Sequence, residues 1–234
     1  MVIGDKLYRF EEIGSTNEYA KSIALNADNG TVVFADTQTQ GKGRFGKSWY
    51  SPPGGLYISV ILKPSNPGLI PVMGGVSLCE TLSRYDIIPG IKWPNDIMLN
   101  NKKIAGMLTE NVDGTVVLGI GLNLNIQKFP EELASVASSV FLETKKHLDR
   151  FMIYQNLCSE LDRFYSILES RRTSELLLLW RHYTIMLGRT VIITLPDRSI
   201  QGRVLDIDSR GALVIMLPDN KVERIIAGDC QIIR

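Results

Sequence analysis

The sequence predicts an α+β fold: a mixed β-sheet flanked by helices, followed by a small all-β unit. Three observations predict it. Short β-rich runs alternate with helix-period runs up to about residue 186, as expected when strands and helices share one core. After Leu187-Gly188 the helical pattern stops and five short β-rich runs follow, parted by turn residues. At 234 residues, 44% hydrophobic and 22% charged, the chain has room for one large core and one small appendage. The expected units are residues 1–186 and 187–234.

Lys6 to Ile13 reads as the first strand. Ser15-Thr16-Asn17-Glu18 then has the capping-box layout, and Tyr19, Ala20, Ile23, Ala24 and Ala27 mark one face of the helix behind it. Thr31 to Asp36 is short and β-branched, hence a strand. Thr37 to Gly55 holds five glycines and two prolines, which excludes a regular element. Leu56 to Leu62 is a strand, and a helix is expected between Pro71 and Tyr85. Strands follow at 91–93, 97–99, 103–110 and 116–122, with turns at Asn100-Asn101-Lys102 and Asp113-Gly114. Leu148, Met152, Leu157, Leu161, Tyr165 and Leu168 mark a long amphipathic helix, and Ser174 to Tyr183 a second. The last five runs, 190–195, 200–207, 212–217, 222–226 and 230–233, suit a small antiparallel barrel or sandwich near the minimum size that folds alone.

Composition narrows the function. Net charge is +1, with 26 Lys+Arg against 25 Asp+Glu, which argues against a chain devoted to coating nucleic acid or an anionic membrane. Cys79, Cys158 and Cys230 are far apart and odd in number, so no disulfide framework is expected, and no Cys/His cluster suggests zinc. The N-terminus lacks a signal-peptide layout, and the longest aliphatic run, Leu176 to Leu179, is too short to cross a bilayer. A reducing cytoplasm is the expected compartment.

The densest chemistry lies in Gln38-Thr39-Gln40-Gly41-Lys42-Gly43-Arg44-Phe45-Gly46-Lys47-Ser48-Trp49. From Thr37 to Lys63 there is no acid but there are four cations, Lys42, Arg44, Lys47 and Lys63. A glycine-rich cationic loop with bare backbone N–H groups is suited to holding phosphate oxygens. By letter, Gly41, Gly43 and Gly46 satisfy the dinucleotide fingerprint, and Gly41, Gly46, Lys47 and Ser48 satisfy the NTPase phosphate loop. Both mechanisms need a helix opening directly behind the glycines. Trp49-Tyr50-Ser51-Pro52-Pro53-Gly54-Gly55 forbids that helix. The dinucleotide reading falls; an NTPase remains as a runner-up.

A second cluster is Lys92-Trp93-Pro94-Asn95-Asp96 with Lys103-Ile104-Ala105-Gly106, followed by Gly119-Ile120-Gly121-Leu122-Asn123. A strand pair joined by a tight turn brings Asn95, Asp96 and Lys103 near one another. Glycines at 119 and 121 offer bare backbone against which a flat ligand can lie. Singly, each has a plainer reading: Lys103 a solvated turn residue, the glycines bends, Trp49 and Trp93 core. Together with Ser15-Thr16-Asn17, Gln38 and the glycine loop, these motifs resemble the biotin–protein ligase family, the biotin–[acetyl-CoA-carboxylase] ligases. The resemblance runs through nearly the whole chain in order, and the lysine of the second motif falls eleven residues after that of the first.

The resemblance implies a class II synthetase-like catalytic fold with a C-terminal SH3-like barrel, and a two-step reaction. Biotin and ATP, the latter with Mg²⁺, give biotinyl-5′-AMP and pyrophosphate; a lysine of a biotin carboxyl carrier domain then takes the biotinyl group. It implies a homodimer, with neither DNA nor membrane as partner, because the first catalytic strand starts too early for an added N-terminal helix-turn-helix. Two anions must meet in such a reaction, so cations must offset their repulsion. Lys103, Arg44 and Asp96 are the implied catalytic residues. Lys103 touches both the carboxylate and the α-phosphate, and Arg44 forks phosphate oxygens while closing the loop. Asp96 orients the incoming lysine or Mg²⁺. Ser15, Thr16, Gln38, Gly41, Gly106 and Gly119, with Lys103, are the implied biotin contacts. Lys42, Arg44, Lys47, Trp49, Asn95, Lys103 and Asn123 are the implied ATP contacts, with Trp49 as adenine platform and Asn123 as adenine hydrogen-bonding group. Lys42, Phe45 and Lys47 depart from the arginines found there in other members, so forked contacts from these positions are not implied. A lipoate–protein ligase is the nearest alternative enzyme. A peptide- or nucleic-acid-binding module is the non-enzyme option, and it leaves both lysine motifs unexplained.

Overall fold

Strand β1 (Leu7–Ile13), helix α1 (Thr16–Ile23) and strand β2 (Val32–Gln38) open the computed structural model, which describes residues 2–233. Met1 and Arg234, the outer ends of the two expected units, lie outside the described residues. The Ser15 side chain caps α1 by accepting from the Glu18 N–H at 3.4 Å. The Glu18 carboxylate does not complete the capping box; it pairs with Lys21 and Lys42. The glycine loop contains only a three-residue helical turn, Arg44–Gly46, and the next element is strand β3 (Leu56–Leu62). No helix stands behind the glycines, as the prolines require.

Helix α2 (Ile70–Ser83) is apolar nearly all round and buried on most sides. Strands β4 (Gly90–Lys92), β5 (Asp96–Leu99), β6 (Lys102–Val112) and β7 (Thr115–Leu122) follow. The turns between them use left-handed Asn100, Asn101, Asp113 and Gly114, the positive-φ residues of tight hairpins. The seven strands form one sheet in the order β1-β2-β3-β7-β6-β5-β4; β1 and β2 are parallel and every other neighbour is antiparallel. Strand alternation divides its faces. Val33, Ile61 and Val117 meet α1, whereas Phe34, Val60 and Leu118 belong to the main core. That main core lies under α2 and the helices α5 (Arg150–Glu169) and α6 (Thr173–Tyr183). Two short helices, α3 (Glu131–Ala134) and α4 (Val140–Thr144), sit in the connection after β7, where no element was expected.

The C-terminal unit has five strands: β8 (Thr190–Thr194), β9 (Ser199–Ile207), β10 (Leu213–Met216), β11 (Val222–Ile225) and β12 (Asp229–Ile232). They form an antiparallel sheet in the order β11-β10-β9-β8-β12, bent by a register shift between Val214 and Ile215. Among the described residues the outer strands make no ladder with each other, so the sheet, SH3-like in make-up, is open between β11 and β12. Its inward residues, among them Val191, Ile193, Leu213 and Ile215, join the core of the large sheet in one apolar cluster. Arg181 of α6 forks Asp206 of β9 at 2.7 and 3.0 Å, and the Trp93 indole N–H donates to the Gly211 carbonyl at 3.2 Å. These contacts seat the small sheet beside the glycine loop.

Candidate active site

The β3–β7 register sets Ser59 opposite Gly119, and the β6–β7 register sets Gly106 opposite Gly121. Gly119 and Gly121 lie two and four residues after Val117 and so share its face, the face that carries α1. The start of α1 lies over these glycines. A Cβ at Gly119 would run into the Asn17 amide, and one at Gly121 into the Trp49 indole nitrogen, so glycine is required at both. The result is a slot floored by bare strand backbone.

One end of the slot is a hydrogen-bonded polar wall. Gln38 Oε1 accepts from the Thr16 N–H at 2.8 Å and from its hydroxyl at 3.1 Å. The Ser59 hydroxyl bonds Thr16 Oγ1 at 2.8 Å and Asn17 Oδ1 at 2.6 Å, and Asn17 Nδ2 donates to Glu110 at 2.9 Å. Ser15, Thr16 and Asn17 are all buried, so these partners are what makes their burial tolerable. Gln38 Nε2 donates to Ser51 Oγ, which donates to the Trp49 carbonyl. Gly41 presses on that same carbonyl: a Cβ there would sit 2.5 Å from it and 2.6 Å from Ser51 Oγ.

The other end is cationic. Lys103 Nζ pairs with Asp96 Oδ1 at 2.5 Å and lies 5.1 Å from the centre of the Trp49 ring. Lys42 pairs with Glu18 at 2.5 Å, and Lys47 with Asp229 of β12 at 2.9 Å. Arg44 forms no ion pair among the described residues. It donates from one terminal nitrogen to Asn95 Oδ1 and to the Gly228 carbonyl, each at 3.1 Å. Burial pushes its pKa down, which Asp229 and Asp96 partly offset. The hydrogen bond from Lys47 holds the Asp229 carboxyl below the ordinary aspartate value against its burial, with Lys92 and Arg44 adding to the effect. Lys21 and Lys42 likewise hold Glu18 down.

One cavity of about 550 Å³ joins the slot and the cations. It is lined by Ser15, Thr16, Gln38, Lys42, Arg44, Lys47, Trp49, Asn95, Asp96, Lys103, Gly106, Gly119 and Asn123. Of the residues expected at a site, only Gly41 is not on the lining. Lys63, fourth cation of the loop region, is not on it either. Trp49 lies against Gly106 and Gly121, alongside Lys103. Among the described residues its indole N–H and the Asn123 side-chain oxygen are buried without partners, a donor and an acceptor left unpaired on the lining. Asn123 Nδ2 donates to the Ser138 carbonyl at 2.9 Å. Sequence reasoning missed Lys92, Asp229, Phe129, Leu133 and Val136, which also line the cavity. Asn17 and Lys92 stood within quoted motifs but without a role; Asp229, Phe129, Leu133 and Val136 gave no local signal, since each reaches the cavity through the tertiary fold.

A slot with a hydrogen-bonded polar end, opening onto a cationic loop, can hold a carboxylic acid against a nucleotide. The chain belongs to the Biotin/lipoate A/B protein ligase family, which residues 10–127 match. Residues 186–232 match the Biotin protein ligase C terminal domain. Among curated proteins, it is 31% identical to the bifunctional ligase/repressor BirA of Bacillus spizizenii, over 99% of this chain and 75% of that protein. It is 30% identical to the biotin–[acetyl-CoA-carboxylase] ligase of Mycobacterium tuberculosis, over 93% of this chain and 85% of that protein. Among solved structures, it superposes on the Aquifex aeolicus biotin protein ligase in complex with biotin and ATP with a TM-score of 0.89. The identity there is 29%, covering 99% of this chain and all of the other.

Proposed function

We propose that this protein is a biotin–protein ligase: it activates biotin with ATP to biotinyl-5′-AMP and then transfers biotin to a lysine of a biotin carboxyl carrier domain. The observation that carries the reading is the position of Lys103. Its ammonium group stands where the glycine-floored slot meets the cationic loop, beside Gly106, Trp49 and Asp96.

In the first step a carboxylate oxygen of biotin attacks the α-phosphorus of ATP and pyrophosphate leaves with its bonding electrons. Lys103 bridges the two anions, and Arg44 supplies a fixed charge to the phosphate. Ser15, Thr16, Gln38, Gly106 and Gly119 serve the biotin end, with Gly41 behind the lining against Trp49 and Ser51; Lys42, Lys47, Trp49, Asn95 and Asn123 serve the nucleotide. The buried, unpaired Asn123 oxygen supports its place as an adenine acceptor. In the second step the carrier amine attacks the acyl carbon, AMP leaves, and Asp96 orients the amine. Among the described residues no group of three or more His, Cys, Asp or Glu could hold an ion. Mg²⁺ enters with the triphosphate as part of the substrate, a mode suited to that ion.

The working form is a homodimer in the cytoplasm, divided into a catalytic unit, 1–186, and a C-terminal unit, 187–234. Among the described residues no helix is long and apolar enough to cross a membrane, and Cys79, Cys158 and Cys230 are buried and unpaired, which suits a reducing compartment. The decisive experiment incubates the protein with ATP, Mg²⁺, biotin and a carrier domain, then weighs the carrier. A biotinyl adduct on its lysine is expected; none, or an adduct only when lipoate replaces biotin, overturns the assignment.

A further inference from the structure

Phe45 has no packing reason to be aromatic. It is 65% exposed and belongs to neither apolar cluster. Its backbone is left-handed, φ 55° and ψ 36°, a conformation unfavourable for a bulky residue that glycine would adopt freely. A large apolar ring held in a strained, solvent-facing position inside a charged loop calls for compensation from a specific contact. The contact present is with its neighbour: the Arg44 guanidinium carbon lies over the Phe45 ring, 4.7 Å from its centre.

Arg44 needs such a contact. Its two hydrogen bonds, to Asn95 and to the Gly228 carbonyl, both come from one terminal nitrogen. They anchor one corner of the group, and Asn95 is itself fixed by donating to the Met107 carbonyl at 2.7 Å. The edge formed by Nε and the second terminal nitrogen has no acceptor among the described residues. That edge is the fork that grips two phosphate oxygens, and its usefulness depends on where its plane is held. An aromatic face under the cation holds it without neutralising its charge, as a carboxylate would.

We propose that the Phe45 ring is a cation–π platform that aims the unbonded edge of Arg44 at the phosphate of the adenylate, which makes Phe45 a positioning residue for adenylate retention. This rests on the ligase reading above. The test loads the protein with labelled biotin and ATP, without carrier, and follows release of labelled biotinyl-AMP after a chase. Phe45→Leu keeps an apolar side chain and removes the aromatic face; Phe45→Tyr and Phe45→Trp keep the face. Release is expected to be about two- to fivefold faster in Phe45→Leu and Phe45→Ala, the size of one exposed cation–π contact. It stays near wild type in the Tyr and Trp variants, with unchanged thermal midpoints throughout. In an Arg44→Ala background, Phe45→Leu adds nothing. A Phe45→Leu protein that retains adenylate like wild type, or an equal effect without Arg44, overturns the inference. So does a defect confined to the carrier step, which would make the ring a rim contact for the carrier. A wild-type protein forming no biotin-dependent adenylate would sink the ligase reading itself.

Discussion

Lys103→Ala removes the cation at the meeting point of the two substrates and leaves Asp96 behind as a negative charge at the site. The pair is 2.5 Å apart, with side chains 31% and 22% exposed, so the site is neither bulk water nor a dry interior. At an effective dielectric of about 20, two unit charges about 4 Å apart interact by about 4 kcal/mol. Loss of one such attraction to the transition state corresponds to about a thousandfold in rate. The stranded Asp96 carboxylate then repels the incoming anions by a comparable order. Removing it as well, in Lys103→Ala/Asp96→Asn, should recover roughly one to two of those decades. Fold stability should fall by no more than about 1 kcal/mol, because a partly exposed pair contributes little. Biotin-dependent exchange of label between pyrophosphate and ATP reads the first step, and a thermal melt reads the fold. Near-normal exchange in Lys103→Ala would refute the role. Equal exchange in the single and double variants would refute the electrostatic reasoning behind the magnitude.

Three further outcomes are expected. Arg44→Ala opens the loop over the adenylate, so biotinyl-AMP leaks and unrelated lysines become biotinylated; mass spectrometry of a bystander protein showing no adducts would contradict this. Gly119→Ala forces a Cβ into the Asn17 amide and should cost about 1–3 kcal/mol, seen as a lower melting temperature and a raised KM for biotin with ATP KM little changed. At the junction of the sheets, burial raises the Asp206 pKa but the Arg181 fork overrides it, for a net fall below the ordinary 3.8. A carboxyl depressed on folding stabilises above its unfolded pKa and loses that contribution as pH falls through the folded value. Wild type should therefore exceed Asp206→Asn by about 1 kcal/mol or less at pH 7, the gap closing in urea titrations as pH falls below the ordinary 3.8 and through the lowered folded value. A gap that persists at low pH would count against it.

Much of this architecture was legible locally. Asp113-Gly114 and Asn100-Asn101 named their own turns because tight hairpins need positive φ. Trp49-Tyr50-Ser51-Pro52-Pro53 excluded a helix behind the glycine loop, which set the dinucleotide fold aside and left the NTPase reading only as a runner-up. The short helices α3 and α4, four and five residues long, carry too few turns for periodicity to register, and with them went Leu133 and its neighbours on the cavity wall. Residues 37–63 read as cations without acids, but folding brings Glu18 from α1 and Asp229 from β12 onto Lys42 and Lys47. Sequence spacing holds no record of such partners, 24 and 182 residues away.

By itself the sequence determined the strands and the longer helices, the glycines that keep the slot open and the kinds of side chain available for the chemistry, because these follow from backbone sterics and short-range periodicity. Only the tertiary structure decided which charges distant in sequence meet. It set Glu18 on Lys42 and Asp229 on Lys47, seated the small sheet against the loop through Arg181–Asp206 and Trp93–Gly211, and left Arg44 without a counter-ion among the described residues, over an aromatic ring. Electrostatic pairing depends on distances across the fold, and those distances exist only once the apolar core has brought the two sheets together.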